Sequence, residues 1–246
     1  MHNKKLKSGV VALALGAVLV GGTFAWLGST DKVQNIFSTK GPDSFKNGVD
    51  IYEKFEQNSV AESGKAVEKV VQVKNEAGYN SLIRVTMNAN FEKEGLDNSK
   101  IELNEANVIS ENDITFNEDG TVKNGEGKWV KVIEEGQTYY YYVGNVIAGG
   151  FTDKILDSVT LSDTVSTNPN YIGQTFNVDI EAYSVQSTSE AITDSTDGKV
   201  EHGATGAQKG FGLDSTKHVN LVKALQAVVD EEATTCEEDY ETKETK

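Results

Sequence analysis

Hydrophobic and polar residues alternate strictly in two segments of the chain, which is the pattern of a β-strand with one buried face. In residues 83–91 the apolar side chains stand at the odd positions, with Arg, Thr and Asn at the even positions. In residues 176–183 the apolar side chains stand at the even positions, with Asn, Asp, Glu and Tyr at the odd ones. Each segment predicts a strand of an antiparallel sheet with one face in the core and the other in solvent.

Several shorter segments rich in β-branched and aromatic residues predict further strands, separated by turns rich in Gly, Asn, Asp and Glu. They lie around Val49, Ile51 and Phe55, and over residues 67–73, 129–133, 138–143 and 155–161. Many short strands without intervening helices are typical of a sandwich or a barrel. We therefore expect an all-β, antiparallel fold.

The periodicity changes near the C-terminus of the chain. Apolar residues from Leu221 to Val229 recur at helical spacing, which predicts one helix from about His218 to Glu232. This helix either caps the sandwich or binds a partner. The preceding residues 187–218 are rich in Ser, Thr, Asp and Gly and predict a long polar loop, whereas the acidic residues from Ala233 onward predict disorder.

The first 25 residues have the pattern of a secretory signal peptide. A positive segment precedes an apolar run over residues 10–20, which is too short for a comfortable membrane span. Small residues then stand three positions and one position before the expected cut. The residues that mark this leader are Lys4, Lys5, Lys7, Thr23 and Ala25. We expect cleavage between Ala25 and Trp26, and export of the protein from the cell.

The expected organisation of the chain has five parts. They are a signal peptide (1–25), an N-terminal arm (26–40), a β-sandwich (41–188), a polar loop and helix packed on the sandwich (189–232) and an acidic disordered tail (233–246).

The chain is strongly acidic, with a formal net charge of -15. Removal of the leader takes away three lysines and no acidic residue, so the processed chain carries -18. Nucleic acid and anionic membrane surfaces both require basic patches, and we expect neither as a partner. Arg84 is the only arginine in the chain, so the chain has few side chains suited to bidentate phosphate binding.

Residues suited to catalysis are sparse. Cys236 is the only cysteine and precedes acidic residues, so we interpret it as an incidental exposed thiol, with pairing between molecules as the alternative. His202 and His218 are expected to be solvated, and the sequence contains neither a two-histidine zinc motif nor a serine-nucleophile motif. We expect no enzyme activity, no cofactor and no metal. The Asp- and Asn-rich residues 113–119 are interpreted as a solvated acidic loop, with calcium binding as the alternative.

Four consecutive tyrosines, Tyr139 to Tyr142, place two phenol rings on each face of a predicted strand. The inner pair is expected to pack in the core with its hydroxyls at the edge. The outer pair either packs as well or contacts carbohydrate or a neighbouring subunit.

Five sequence blocks, spread over roughly two thirds of the chain, carry a family resemblance. They are the signal region from Lys4-Lys5-Leu6 to Gly21-Gly22-Thr23-Phe24-Ala25-Trp26, then Val71-Gln72-Val73-Lys74-Asn75 with Ser81-Leu82-Ile83-Arg84-Val85, the tyrosine-rich strand, Gly149-Gly150-Phe151-Thr152, and Ala182-Tyr183-Ser184-Val185-Gln186. Together they resemble the TasA/camelysin family of exported Gram-positive proteins. The signal region is the most specific block, and the part after Val185 matches the family pattern poorly.

The resemblance implies a jelly-roll sandwich that polymerises into extracellular biofilm-matrix fibres or pili of a Gram-positive bacterium. It implies processing by the signal peptidase SipW, homopolymerisation with copies of itself, and minor fibre subunits as further partners. In such fibres the N-terminal segment of one subunit completes a sheet of the next. The family has also been labelled a metallopeptidase, and no metal-binding motif in this sequence supports that label.

The arm can be evaluated from physical principles alone. Fifteen residues in strand conformation reach roughly 50 Å, enough to leave one sandwich and cross another. Burial of its apolar residues would contribute on the order of 10 kcal/mol, less than the cost of ordering some 12 residues at about 1–2 kcal/mol each. The arm therefore also needs ladder hydrogen bonds, which an open sheet edge supplies. The expected interface residues are Trp26, Leu27, Val33, Ile36 and Phe37.

These observations favour a secreted structural subunit that assembles head to tail by strand donation. The alternative for the arm is that it folds back on its own domain. The alternative functions are a camelysin-type secreted metallopeptidase and a monomeric surface adhesin that binds glycans through the tyrosine-bearing face. Isopeptide bonds between a lysine and an Asn or Asp beside a buried carboxylate are compatible with such a fibre, and the sequence does not select the residues.

Overall fold

The computed structural model of the chain describes residues 33–35, 48–55, 61–193, 210–231 and Cys236. Within them, twelve strands form a six-stranded sheet, a four-stranded sheet and a small two-stranded sheet, accompanied by two α-helices. The strands are β1 (Val33–Asn35), β2 (Val49–Phe55), β3 (Ala66–Asn75), β4 (Ser81–Phe91), β5 (Ile101–Glu105), β6 (Val108–Ser110), β7 (Thr115–Phe116), β8 (Val122–Asn124), β9 (Trp129–Glu134), β10 (Gln137–Tyr142), β11 (Leu156–Leu161) and β12 (Phe176–Gln186). The helices are α1 (Ser189–Thr193) and α2 (Val219–Asp230).

The two larger sheets form a sandwich. The six-stranded sheet has the order β1-β12-β4-β10-β9-β6, and the four-stranded sheet has the order β2-β3-β11-β5. Successive long strands cross between the sheets, because β3, β5 and β11 lie in one sheet and β4, β10 and β12 in the other. This crossing pattern is jelly-roll-like. The fold is therefore the expected all-β sandwich with a C-terminal helix.

The two strands with the clearest sequence alternation are neighbours. β4 and β12 pair antiparallel along their whole length, from Phe176 opposite Phe91 to Gln186 opposite Ser81. The hairpin from β9 to β10 turns over Glu135 and Gly136, whose φ angles of 50° and 83° fit the left-handed conformation that a two-residue turn requires. This turn fixes the register that places the tyrosines of β10.

A first hydrophobic core fills the space between the two large sheets. Its largest members are Trp129, Tyr140 and Tyr142. Aliphatic side chains from both sheets surround these rings, among them Val71, Val73, Ile83, Val85, Leu156, Val178 and Ile180. Tyr140 and Tyr142 are thus the inner pair of the tyrosine-rich strand, as the alternation predicts.

A second hydrophobic core lies on the opposite face of the six-stranded sheet. There Leu82, Val130, Tyr141 and Val185 pack with residues of α1 and α2 and with Phe211 and Leu213. The prediction of a featureless polar loop over residues 187–218 is therefore wrong at α1 and in the described part after residue 209, where apolar side chains are buried. The prediction that the even positions of β4 face solvent is correct for Asn88 and Asn90 but wrong for the half-buried Arg84.

Two sequence blocks of the family resemblance meet in space. The side-chain amide of Gln72 donates to the carbonyl of Thr152 at 3.0 Å, and the Thr152 hydroxyl accepts from the backbone N–H of Val73 at 3.1 Å. Backbone bonds join Asn75 to Gly149 and Gly150. These blocks hold the start of the segment that leads to β11 against β3, which is a structural role.

No helix in the described part of the chain is long and apolar enough to cross a membrane.

Candidate subunit interface

The outer edge of β12 is the sheet edge with which part of the predicted arm pairs. One side of β12 pairs with β4 at all eleven positions from Phe176 to Gln186. On the other side, the pairing within the described residues covers only Ile180 to Ala182, opposite β1. We call this side of β12 the acceptor edge. A longer strand would extend this ladder beyond those three positions.

The acceptor edge lies beside the outer edge of the other sheet. β2 is the edge strand of the four-stranded sheet and pairs with β3 from Val49 to Phe55. β2 approaches β12, and β1 approaches both. At the start of β2 the two sheets come so close that a Cβ on Gly48 would stand 2.9 Å from the Ser184 hydroxyl. β1 therefore occupies the seam where the two sheet edges meet.

The interior behind this seam is mainly apolar. Val49, Ile180 and Ala182 are at most 1% exposed. One ion pair interrupts this surface, with Lys69 Nζ 3.2 Å from a carboxylate oxygen of Glu53 and with side chains only 1% and 6% exposed. A strand that covers the seam consequently shields apolar side chains of both sheets from water.

The residues expected to form the interface fall partly within the described structure. Val33 lies in β1, which runs parallel to β12 with Val33 opposite Ile180 and Asn35 opposite Ala182. Ala25, Trp26, Leu27, Ile36 and Phe37 lie outside the described residues. In the single chain the acceptor edge is thus occupied by a short piece of the chain's own arm, as in the fold-back alternative.

Sequence reasoning missed a cluster built around His218. The prediction of a solvated histidine is wrong, because the side chain is 13% exposed and lies between two carboxylates. Its Nδ1 is 3.0 Å from Glu111 Oε2, and its Nε2 is 2.8 Å from Glu134 Oε1. The second oxygen of Glu111 accepts from the backbone N–H of Leu221 at 3.1 Å. The cluster therefore fastens the N-terminus of α2 to the six-stranded sheet.

The charges of this cluster act on the histidine. Burial by itself lowers the pKa of His218, but the hydrogen bonds to Glu111 and Glu134 and their negative charges outweigh it and raise the pKa above its usual value. No pattern in the sequence indicates this cluster, because Glu111 and Glu134 are far from His218 along the chain.

Cys236 differs from the sequence interpretation. Its backbone N–H donates to the carbonyl of Phe151 at 3.1 Å, and its Sγ lies 3.5 Å from the Tyr142 hydroxyl. Burial, followed by the contact with Cys236, raises the pKa of Tyr142. The thiol is half-buried, so the expectation of an exposed thiol in a disordered tail is wrong at this residue.

The candidate calcium ligands serve local turns. A carboxylate oxygen of Asp113 accepts from the backbone N–H of Ser110 at 3.1 Å. Asp119 accepts from the backbone and the hydroxyl of Thr121, and these hydrogen bonds lower the pKa of the Asp119 carboxyl. In the described ranges, no group of three or more His, Cys, Asp and Glu side chains is placed to hold a metal ion.

Comparisons with known proteins add no relative to this picture. No protein-family model, curated protein or solved structure matches the chain. The resemblance to the TasA/camelysin family accordingly stays a prediction from the sequence blocks.

Proposed function

We propose that this protein is an exported structural subunit that polymerises head to tail by strand donation into extracellular matrix fibres or pili. The arm, residues 26–40 of one processed copy, pairs with the acceptor edge of the next copy. The observation that carries the proposal is the edge of β12, which is eleven residues long and accepts three residues of the arm in the single chain. The leader supports export, and the resemblance supports an extracellular fibre processed by SipW.

The same edge explains how one chain supports both a monomer and a polymer. In the monomer the chain's own Val33–Asn35 occupies Ile180–Ala182. In the polymer the arm of a second copy takes the same place, as in domain swapping, and extends along more of the edge. Each additional ladder hydrogen bond contributes about 0.5–1.5 kcal/mol. Polymerisation is therefore driven by a longer ladder on a pre-existing edge.

The decisive experiment removes the arm from the processed chain. Deletion of residues 26–40 should leave folded monomers, seen by circular dichroism and sedimentation, that form no fibres in electron micrographs. A synthetic peptide of residues 26–40 should bind the deleted protein, and a peptide of scrambled sequence should not. Fibres formed by the arm-deleted protein would show that the arm is not the connector.

The two alternative functions have separate tests. A secreted metallopeptidase requires peptidase activity that a chelator removes from the purified protein. A monomeric adhesin requires glycan binding together with single particles at high concentration. In both tests we expect the processed chain to form fibres.

A further inference from the structure

Arg84 lies inside a cluster of aromatic rings on the outer face of the six-stranded sheet. Its guanidinium carbon is 4.9 Å from the ring centroid of Tyr139 and 5.1 Å from that of Tyr183. The rings of Phe211 and Tyr141 follow at 5.5 Å and 5.8 Å. Stacking on aromatic rings holds the planar guanidinium in a fixed orientation.

Beyond ring stacking, the guanidinium interacts with two groups of the described residues. Its Nη1 donates a long hydrogen bond to the carbonyl of Phe211 at 3.5 Å, and it hydrogen-bonds to the Tyr141 hydroxyl. In the part of the chain that the structure describes, no carboxylate forms an ion pair with Arg84. Two lysines behave differently, since the buried Lys69 pairs with Glu53 and the partly exposed Lys131 pairs with Glu105. A half-buried guanidinium that no carboxylate of the described residues pairs with is suited to a carboxylate brought by a ligand.

A cleft of about 370 Å³ opens beside this guanidinium. Its lining consists mainly of groups that hydrogen-bond. They come from Arg84, Thr86, Asn88, Gln137, Tyr139, Glu181 and Tyr183, with Ala182 as the apolar member. Strands β4, β10 and β12 position all of these residues, so the cleft rests on a paired sheet and not on a loop. We call it the Arg84 cleft.

We propose that the Arg84 cleft binds a saccharide that carries a carboxylate, such as a uronic acid unit of an extracellular polysaccharide. The carboxylate pairs with the guanidinium fork of Arg84. The phenol rings offer stacking surfaces, and the amides of Asn88 and Gln137 with the Thr86 hydroxyl bind sugar hydroxyls. The Glu181 carboxylate accepts from a hydroxyl but repels the ligand's charge.

The chemistry of the lining favours a saccharide over an acidic peptide. An extended peptide gains its affinity from a sheet edge and from pockets for apolar side chains. The Arg84 cleft lies on a sheet face and is lined by amides, hydroxyls and phenols, which match the many hydroxyl groups of a sugar. This binding does not depend on strand donation, so the two proposals can fail separately.

Calorimetric titration of the processed protein with an oligogalacturonide tests the proposal. The methyl ester of the same oligosaccharide removes the charge while keeping the ring shape, and should bind at least tenfold more weakly. Arg84→Gln should reduce binding at least tenfold, whereas Lys93→Gln, which removes the same charge at an exposed position outside the cleft, should leave it unchanged. Glu181→Gln should strengthen binding severalfold, an effect that a purely structural role of the cleft residues does not give.

A second variant covers the case in which Arg84→Gln fails to fold. Gln137→Ala lies outside the aromatic cluster and should weaken oligogalacturonide binding while circular dichroism stays unchanged. Absence of binding by the unmodified protein, equal binding of the ester, or tighter binding of a polyglutamate peptide would overturn the assignment. Fibre formation, measured in parallel by electron microscopy, should be the same with and without the oligogalacturonide.

Discussion

The side chains of Asn75 and Ser81 are joined in the protein interior by a hydrogen bond from the Ser81 hydroxyl to Asn75 Oδ1, 3.2 Å long. Asn75 is fully buried at the end of β3, and its amide nitrogen donates to the carbonyls of Tyr79, Val146 and Ile147. The two N–H groups of one amide are therefore shared among three backbone carbonyls where the chain passes from one sheet to the other. Such a hub explains why a fully buried polar residue ends β3.

Replacing Asn75 by Leu should destabilise the protein by about 3 kcal/mol or more, because each buried group left unsatisfied costs about 1–3 kcal/mol. Asn90→Ala, at an exposed position on β4, should change stability by no more than about 0.5 kcal/mol. Urea unfolding monitored by tryptophan fluorescence measures both. Equal stability of the Asn75 variant and the unmodified protein would contradict the role of the hub.

The ion pair of Lys69 and Glu53 gives a second prediction. Lys69→Met leaves a buried carboxylate without its ammonium and should cost about 3–5 kcal/mol. The double variant Lys69→Met with Glu53→Leu should recover most of that loss, since apolar residues replace a buried pair at little cost. Lys54→Met breaks an exposed pair with Glu68 and should cost at most about 1 kcal/mol. If the double variant is no more stable than Lys69→Met, the pair is not isolated in the core as described.

The long strands could be predicted from sequence because their pattern is local. Strict alternation identified β4 and β12, and β-branched runs identified β3, β9, β10 and β11. The short strands β5 to β8 have too few residues to establish a period. The burial of Phe211 and Leu213 could not be foreseen either, because it depends on a surface of Tyr141 and Leu82 that only the folded sheet creates.

The candidate sites show the same division. An apolar arm and a need for a sheet edge follow from sequence and chain entropy. The proposal that this edge is β12 comes only from the strand order. The ring cluster around Arg84 joins four elements that are distant along the chain, and no spacing rule predicts it. Two of the blocks that carry the family resemblance meet in the fold, where Gln72 contacts Thr152. The two residues are far apart along the chain, so the sequence does not reveal this contact.

The His218 cluster predicts a dependence of stability on pH. The folded-state pKa of His218 is raised above its unfolded value, so the protonated ring stabilises the fold fully below the unfolded value of 6.5. This contribution is lost as the pH rises through the raised folded-state pKa. A neutral ring donates only one hydrogen bond and can no longer serve both Glu111 and Glu134. The loss should be at most about 2 kcal/mol, since Glu134 is partly exposed.

Urea unfolding at several pH values between about 5.5 and 9 measures this dependence. In the processed chain, His218→Gln should remove most of the decline in stability on the alkaline side, and the remaining histidine, His202, is the same in both proteins. An identical pH profile for the variant and the unmodified protein would show that His218 does not carry the effect.

A disulfide across the acceptor edge can distinguish an arm that folds back on its own domain from an arm donated to another copy. Gln34 lies in register with Glu181. Neighbouring strands place such residues about 4.8 Å apart, within the range of about 4.4–6.8 Å between the Cα atoms of a disulfide. A chain with Gln34→Cys, Glu181→Cys and Cys236→Ser should form a disulfide within one molecule when dilute.

In fibres, the same cysteines should link different copies, because the donated arm occupies the same register. Non-reducing gel electrophoresis of oxidised fibres should then show a ladder of covalent multimers, whereas each single-cysteine variant should give at most a dimer. Fibres that contain only internally linked monomers would show that the arm stays on its own domain and that another surface joins the subunits.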